Sequence, residues 1–268
     1  MIMCNCSKST ATYWPTNGHR AESKENLLGT PEQFCSSFFH VLPCRELDIP
    51  EHVCLQADSR ACHHQCITIV ARLQGVSNLV VRYTNCMQAT APPIHAEEFL
   101  IADDTLLVPG ATLTLYMQLQ PCHYSGNSDR DPPDHRSCTT ALIKWYTACL
   151  APRGITLNIR CSNLYKAMWE YSPAQLRKLP PNWRHSRAAH SARIGLQLMA
   201  DAGLAVQHID NEGWAFLLSL VHAAKIEPTQ QAAREHADAA VCKFLERFHA
   251  PLLRTDARDD AVDDLPER

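Results

Sequence analysis

Strand-like and helix-like patterns alternate along this chain after residue 90, and this alternation limits the folds that the sequence can adopt. A period-two segment covers 111 to 119, a second strand is expected at 155 to 159, and a short third strand at 204 to 209. Segments with helical spacing lie between and after these strands. This order predicts an α/β fold in which a mostly parallel sheet carries helices on both faces.

The residues before 90 predict one helix and two further strands. Cys66 to Leu73 and Leu79 to Tyr83 are rich in β-branched residues and alternate in polarity, so they indicate a hairpin. Phenylalanines spaced three to four residues apart predict an amphipathic helix over Pro31 to Leu42. Residues 1 to 30 are polar and show no period, which favours a flexible segment.

The length of 268 residues is sufficient for one sizeable core. We expect a single domain over 31 to 250, after the flexible segment 1 to 30 and before an acidic tail over 251 to 268. Later helices are expected at 138 to 150, 193 to 202, 212 to 223 and 229 to 249.

The formal net charge of −3 comes from the acidic tail. Residues 255 to 268 hold six acidic and two basic side chains, which leaves 23 of the 25 Lys and Arg and 22 of the 28 Asp and Glu for the rest. The negative sign therefore does not exclude a nucleic-acid partner.

His95 and Glu97 stand at the start of a predicted helix, and Cys122 follows Pro121 at the end of the predicted strand at 111 to 119. A zinc ion held by one imidazole and two thiolates keeps a fourth position open for a water that ionises near neutral pH. Glu97 would then shuttle the proton. The pattern H-x-E followed by P-C-x-x-C is typical of zinc-dependent nucleobase deaminases.

The second cysteine of that pattern is displaced along the chain. Ser125 occupies its usual place, and a serine hydroxyl is a poor zinc ligand beside a thiolate. The next cysteine, Cys138, follows Cys122 after fifteen residues whose Gly, Asn, Asp and Pro content indicates an inserted loop. Ser137 is expected to cap a helix that begins at Cys138, where a thiolate is favoured. These patterns predict zinc on His95, Cys122 and Cys138.

Other interpretations of the same residues stay open. His95 can cap a helix, Cys122 can be a small core residue, and Cys138 can be incidental in a chain with thirteen cysteines. His123 and His135 are competing ligands near the loop, and we rank both below Cys138. The joint occurrence of all the parts in the expected structural context favours the zinc site.

Further segments of the chain are similar to one known family: Asn163 to Trp169, Gly195 to Met199, Ala202 to Val206 and Asn211 to Phe216. With these segments and the zinc motif, the chain resembles the AID/APOBEC-like polynucleotide cytosine deaminases over roughly residues 31 to 225. It most closely resembles the divergent, SNAD-like branch in which a loop separates the two zinc cysteines.

One departure from the family concerns the floor of the pocket. Leu119 and Gln120 stand where family members usually carry a tryptophan and a serine. This difference leaves the choice of base open.

The resemblance implies a fold and an activity. The expected fold is a cytidine-deaminase-like three-layer α/β/α arrangement around a five-stranded mixed sheet whose last strands are parallel. The expected activity is zinc-dependent hydrolytic deamination of cytosine to uracil in a single-stranded polynucleotide, with Glu97 as the proton carrier. Tyr165 is the expected residue to stack on the target base, and Trp169 lies in the same loop; core packing is the alternative for both. Asn85 could bind the sugar or base, or cap a turn.

A basic segment suggests where a polynucleotide would bind. Five Lys and Arg residues and no acidic residue occur between Arg177 and Arg193. Arg184 and Arg187 are therefore candidate phosphate contacts for single-stranded DNA or RNA. An ordinary solvated loop is the alternative. The stretch from Ser172 to Arg193 is also longer than the family's usual link, so we expect an insertion there.

Two other functions stay open. One is deamination of free cytidine, of a nucleotide, or of adenine in RNA; the other is a zinc-stabilised nucleic-acid-binding module without catalysis. No membrane contact is expected, because the sequence contains no run of eighteen apolar residues. The absence of an evident signal favours the cytoplasm or nucleus, while the high cysteine content keeps secretion open. The sequence does not predict an oligomeric state.

Overall fold

The computed structural model describes residues 20–22, 25–34, 38, 67–75, 78–85, 94–123, 137–164, 167–168, 184–222 and 228–249. Six strands form one mixed sheet in the order β1-β3-β2-β4-β5-β6. They are β1 (Arg20–Glu22), β2 (Thr68–Gln74), β3 (Leu79–Thr84), β4 (Thr112–Leu119), β5 (Thr156–Asn163) and β6 (Val206–His208). The first three pairings are antiparallel, and β4–β5 and β5–β6 are parallel. The α/β class and the parallel last strands are confirmed.

The predicted count of five strands is wrong by one. The additional strand, β1, lies within the segment 1 to 30 that the sequence predicted to be flexible, and it pairs with β3 at the edge of the sheet. Arg20 donates to the Asp103 carboxylate at 2.5 Å, and the Tyr83 hydroxyl donates to the same carboxylate. A strand of three residues has no pattern of its own, so only these distant partners reveal it.

Six helices are described: α1 (Pro31–Phe34), α2 (Ala96–Ile101), α3 (Cys138–Trp145), α4 (Arg184–Asp201), α5 (Asn211–Ser219) and α6 (Pro228–His249). α3 continues into one π-helical turn over Tyr146–Leu150 and a 3-10 turn over Ala151–Arg153. None of the described helices is both long enough and apolar enough to cross a membrane.

The start of α4 differs from the prediction. The helix begins at Arg184 and not near Arg193, so the second half of the expected insertion is helical. Ala189 and Ala192 are buried and continue the apolar stripe of Leu196 toward the helix N-terminus. Small alanines among basic residues give a weak hydrophobic signal, although arginine and alanine both favour helix. The high charge of the segment concealed that stripe.

The two faces of the sheet belong to two separate cores. Along β4, Leu115 and Met117 face the larger core, while Tyr116 between them faces the smaller one. The larger core is completed by α2, α3, α4 and α6, and the smaller one by α1 and α5. Helices therefore cover both faces. The ends of β3 and β4 lead toward the helices α2 and α3, which pack on the larger core.

Asp103 links β1 to the rest of the domain by hydrogen bonds, so its replacement should destabilise the fold. Its buried carboxylate accepts hydrogen bonds from Arg20, Tyr83 and Thr105. We expect Asp103→Asn to lower the free energy of unfolding by about 1–3 kcal/mol at neutral pH, measured by urea denaturation. Asp104→Asn is the matched control, because this neighbour is exposed. Equal losses in both variants would contradict the assignment.

The stabilisation that the Asp103 carboxylate provides should depend on pH. Burial opposes ionisation, but the donated hydrogen bonds hold the pKa of Asp103 below its usual range. The stabilisation is therefore present above the unfolded-state pKa of about 3.9 and is lost as the pH falls through the folded-state value. The difference between wild type and Asp103→Asn should shrink on acidification.

Candidate metal centre

His95 lies at the N-cap position of α2, with extended backbone angles. Its backbone N–H donates to the Glu98 carboxylate at 3.1 Å, as in a capping box. The side chain of His95 therefore stands at the entrance of the helix and is directed at two sulfurs. Its Nδ1 lies 3.1 Å from Sγ of Cys138 and 3.5 Å from Sγ of Cys122.

The two cysteines reach this point from different elements. Cys122 follows the end of β4, and Cys138 is the first residue of α3. Ser137 caps α3, because its hydroxyl accepts from the backbone N–H of Thr140 at 3.1 Å. The predicted N-cap is thus confirmed. The partial positive charge at the start of α3 would stabilise a Cys138 thiolate once a metal displaced its proton.

One nitrogen of His95 and the sulfurs of Cys122 and Cys138 all lie within 4.8 Å of one another. Zinc bonds of about 2.0 Å to nitrogen and 2.3 Å to sulfur place tetrahedral N and S ligands about 3.5 Å apart. The two N–S distances agree with that geometry to within a few tenths of an ångström. Among the residues that the structure describes, this is the one group of three such side chains close enough to share an ion.

The protonation states of the three donors show how this site could hold a cation. The Cys138 thiol donates to Cys122, and this hydrogen bond, together with His95, lowers the pKa of the Cys122 thiol to about 4. The same bond and burial raise the pKa of Cys138. The bond to the Cys122 sulfur raises the pKa of His95 to about 9. Without a metal the cluster thus holds one thiolate, and a divalent ion would stabilise the second. The donor set fits zinc.

Glu97 lies beside the donor cluster and is 5 % exposed. Its burial, reinforced by the Cys122 thiolate, raises the pKa of Glu97 to about 7. A carboxyl group with such a pKa can accept and release a proton near neutral pH, as a general acid and base requires. It is not one of the three donors.

Cys161 is a neighbour of Glu97 that sequence analysis did not single out. It is fully buried on β5, and burial, with the nearby Glu97 carboxylate, raises the pKa of its thiol. Leu157 and Ile159 precede it on the same face of the strand, in the larger core. The alternation of side chains along β5 could have predicted that Cys161 faces the helices, but only the tertiary structure shows that it lies near Glu97. Because its thiol stays protonated, Cys161 is an uncharged neighbour of that carboxylate.

His123 is not a member of the donor cluster. Its Nδ1 lies 2.9 Å from the hydroxyl of Ser137, and burial lowers the pKa of its imidazole. His135, the other competing ligand, lies outside the described residues. Outside the donor cluster, Cys149, Cys161 and Cys242 carry free thiols in the described part of the chain.

The expected substrate contacts are less completely described. Tyr165 and Trp169 lie outside the described residues, and only the backbone of Arg184 and Arg187 is described, in α4. The Asn85 side-chain oxygen accepts from the backbone N–H of Ile67 at 2.8 Å, which continues the β2–β3 hairpin by one further bond. Asn85 therefore has a local structural role, but this role is not the turn cap that the sequence also allowed. Its contact with a substrate stays a prediction.

Comparison with known proteins adds no family to this description. No protein-family model matches the chain, and no curated protein is significantly similar to it. The assignment of the centre thus depends on its own geometry and chemistry.

The 268-residue chain should bind one zinc ion, and removal of one donor should weaken binding strongly. We expect Cys138→Ser to lose zinc during dialysis against a mild chelator, because serine is a poor zinc ligand. Cys149→Ser is the matched control, since this cysteine is free and lies in the turn after α3. Metal content by mass spectrometry and the absorption of a cobalt-substituted sample give the result. A wild-type protein without metal, or full zinc in Cys138→Ser, would contradict the site.

Zinc binding should also release protons, because a metal displaces them from the donors. At pH 7 the Cys122 thiol with a pKa of about 4 has already ionised, whereas His95 with a pKa of about 9 is protonated. Cys138 holds the second proton, since its pKa is raised. Calorimetry in buffers of different ionisation enthalpy should therefore report release of about two protons, and affinity should fall as the pH falls. Release of none would contradict this charge distribution.

Proposed function

We propose that this protein is a zinc-dependent hydrolase that deaminates cytosine to uracil in a single-stranded polynucleotide. One observation carries the proposal: a buried glutamate with a pKa raised to about 7 lies beside an imidazole and two thiols that converge within 4.8 Å. A purely structural zinc site has no use for a buried carboxyl group at that position. A catalytic one requires a group that moves protons.

The reaction needs three functions that these residues can supply. His95, Cys122 and Cys138 would hold the zinc ion, which when bound supplies the Lewis acidity that makes water a nucleophile near neutral pH. Glu97 would accept a proton from the attacking water. It would then deliver that proton to the ring nitrogen and assist departure of the amine.

The atoms of this hydrolysis balance without another reactant. The oxygen of water bonds to the ring carbon that carries the amino group, and the bond from that carbon to nitrogen breaks. Ammonia leaves, and the base becomes uracil. Water supplies two protons: Glu97 would pass the first to the ring nitrogen and the second to the departing amino group, which leaves as ammonia, so Glu97 ends the cycle in its starting state.

The architecture supports this proposal through the placement of the helices. The sheet is mixed with parallel last strands, and α2 and α3 present their first residues to one point beside the larger core. Such an arrangement is what a cytidine-deaminase-like three-layer fold requires. The sixth strand, β1, lies at the edge of the sheet beside β3 and supplies none of the three donors.

A polynucleotide substrate is supported by the position of α4. Its first three turns belong to the basic segment, which has no acidic residue from 177 to 193. Ser191 in this helix donates to the backbone oxygen of His123, the residue next to Cys122. The basic helix is thus joined directly to the chain segment that carries a metal donor. Phosphates bound along α4 would lie near the candidate centre.

Glu97→Gln tests the proton carrier separately from the metal. We expect this variant to keep zinc and stability but to release ammonia from single-stranded substrate about 10²–10⁴-fold more slowly, the usual contribution of a general acid and base. Asp104→Asn is the control for loss of a carboxylate outside the centre. Wild-type levels of activity in Glu97→Gln would overturn the assignment of Glu97.

The substrates should be compared in one experiment with single-stranded DNA, single-stranded RNA, duplex DNA and free cytidine. Binding that weakens steeply with salt supports a polynucleotide substrate, since released counterions drive such binding. Activity on free cytidine without salt-dependent oligonucleotide binding would instead support a nucleoside or nucleotide deaminase. If RNA adenine alone is converted, the base assignment is wrong. Zinc and oligonucleotide binding without ammonia release from any substrate would support the non-catalytic module.

A further inference from the structure

The chain segments that carry Cys122 and Cys138 are hydrogen-bonded directly to each other. The backbone N–H of Thr139 donates to the carbonyl of Cys122 at 3.0 Å, and the Thr139 hydroxyl donates to the carbonyl of Pro121 at 3.2 Å. His123 forms the third link, with its Nδ1 2.9 Å from the Ser137 hydroxyl. These three hydrogen bonds join residues 121–123 to residues 137–139. We call the two bonded segments the neck.

The neck is also bonded to α4. The Ser191 hydroxyl donates to the carbonyl of His123. Gly195, one turn further along α4, lies so close that a Cβ there would be 2.8 Å from the His123 Cβ and 3.0 Å from the Thr139 hydroxyl oxygen. Real Cβ atoms do not approach a neighbouring carbon that closely. The lack of a side chain at Gly195 therefore allows α4 to press on both segments at once.

His123 contacts all three parts through hydrogen bonds of its side chain and backbone. It follows Cys122 in the chain, its side chain contacts Ser137, which precedes Cys138, and its carbonyl is bonded to α4. It is 8 % exposed, so water does not compete freely for these bonds. A shift of this residue would move both sulfurs relative to each other.

We propose that His123 is a positioning residue for the metal centre, which holds the sulfurs of Cys122 and Cys138 at a fixed separation through its bonds to Ser137 and Ser191. Groups that orient metal ligands commonly matter for affinity nearly as much as the ligands. This inference depends on the zinc site of the proposed function, and it is independent of which reaction the site performs.

A second consequence concerns the residues between the two sides of the neck. The bonds of the neck and the bond to α4 join both sides without using residues 124–136. We therefore expect that these thirteen residues can be changed in length or sequence without loss of the metal.

The test measures zinc dissociation from full-length protein with a colorimetric chelator, together with the absorption bands of the cobalt-substituted form. We expect His123→Leu and Ser191→Ala to speed dissociation by about 10–100-fold and to alter the cobalt bands. His123→Asn should restore most of the wild-type rate, because its side-chain amide can bond Ser137 from nearly the same position. His222→Leu and Ser219→Ala are matched controls: His222 is exposed, and Ser219 likewise donates to a backbone carbonyl.

A double variant separates positioning from general destabilisation. His123→Leu and Ser137→Ala remove the two ends of one bond, so the double variant should dissociate zinc no faster than the faster single variant. Multiplied effects would overturn the proposed link. So would dissociation rates and cobalt bands like those of the controls, even if thermal stability fell.

Replacement of residues 124–136 by a short Gly-Ser linker completes the test. We expect zinc dissociation within about threefold of wild type, because loop closure costs change slowly with length. Loss of the metal from this variant would show that the segment, and not the neck, sets the sulfur spacing. Wild-type protein that binds no zinc would overturn the proposed function and this inference together, whereas zinc binding without deamination would overturn only the former.

Discussion

The bonds from Thr139 to the carbonyls of Pro121 and Cys122 are the constraint on which the candidate centre depends. Backbone N–H groups in the first turn of a helix have no partner within the helix. Here the end of the β4 segment supplies one such acceptor, at 3.0 Å from the Thr139 nitrogen. The bond that completes the start of α3 therefore also brings Cys122 beside Cys138, although fifteen residues separate them in the chain. The same hydrogen bond thus satisfies the start of the helix and holds the two cysteines together.

The electrostatics of the centre follow from this enforced proximity. Two thiols and a carboxyl group share a space with little water, so they cannot all ionise without a compensating cation. One thiolate forms at Cys122, the pKa of Cys138 rises, and the pKa of Glu97 rises to about 7. Burial thus keeps the Cys138 thiol protonated, so that a divalent metal could displace its proton, and it raises the proton affinity of the Glu97 carboxylate. A more exposed arrangement of the same residues would supply neither.

The helix α4 connects the centre with the rest of the domain. Its buried residues Ala192 and Leu196 pack in the larger core, while Ser191 and Gly195 contact the segment at His123. Its N-terminal turns carry the basic residues that a polynucleotide would contact. Rigid contact between such a surface and the donors would hold a bound strand in register with the centre. What the structure shows of this link is the close approach of Gly195 and the hydrogen bond of Ser191 to the segment at His123.

The sequence alone determined the features that depend on nearby residues. Period-two and helical spacing predicted β2 to β6 and the start of α3 at Cys138, because a strand or helix imposes its period on the residues that form it. The chemistry of imidazole, thiolate and carboxylate predicted the donor set. Only the tertiary structure decided the placement of β1, the extension of α4 to Arg184, and the partners of His123 and Asn85. Each of these depends on a hydrogen bond or packing contact with a residue far away in the sequence. A local sequence pattern cannot predict such partners.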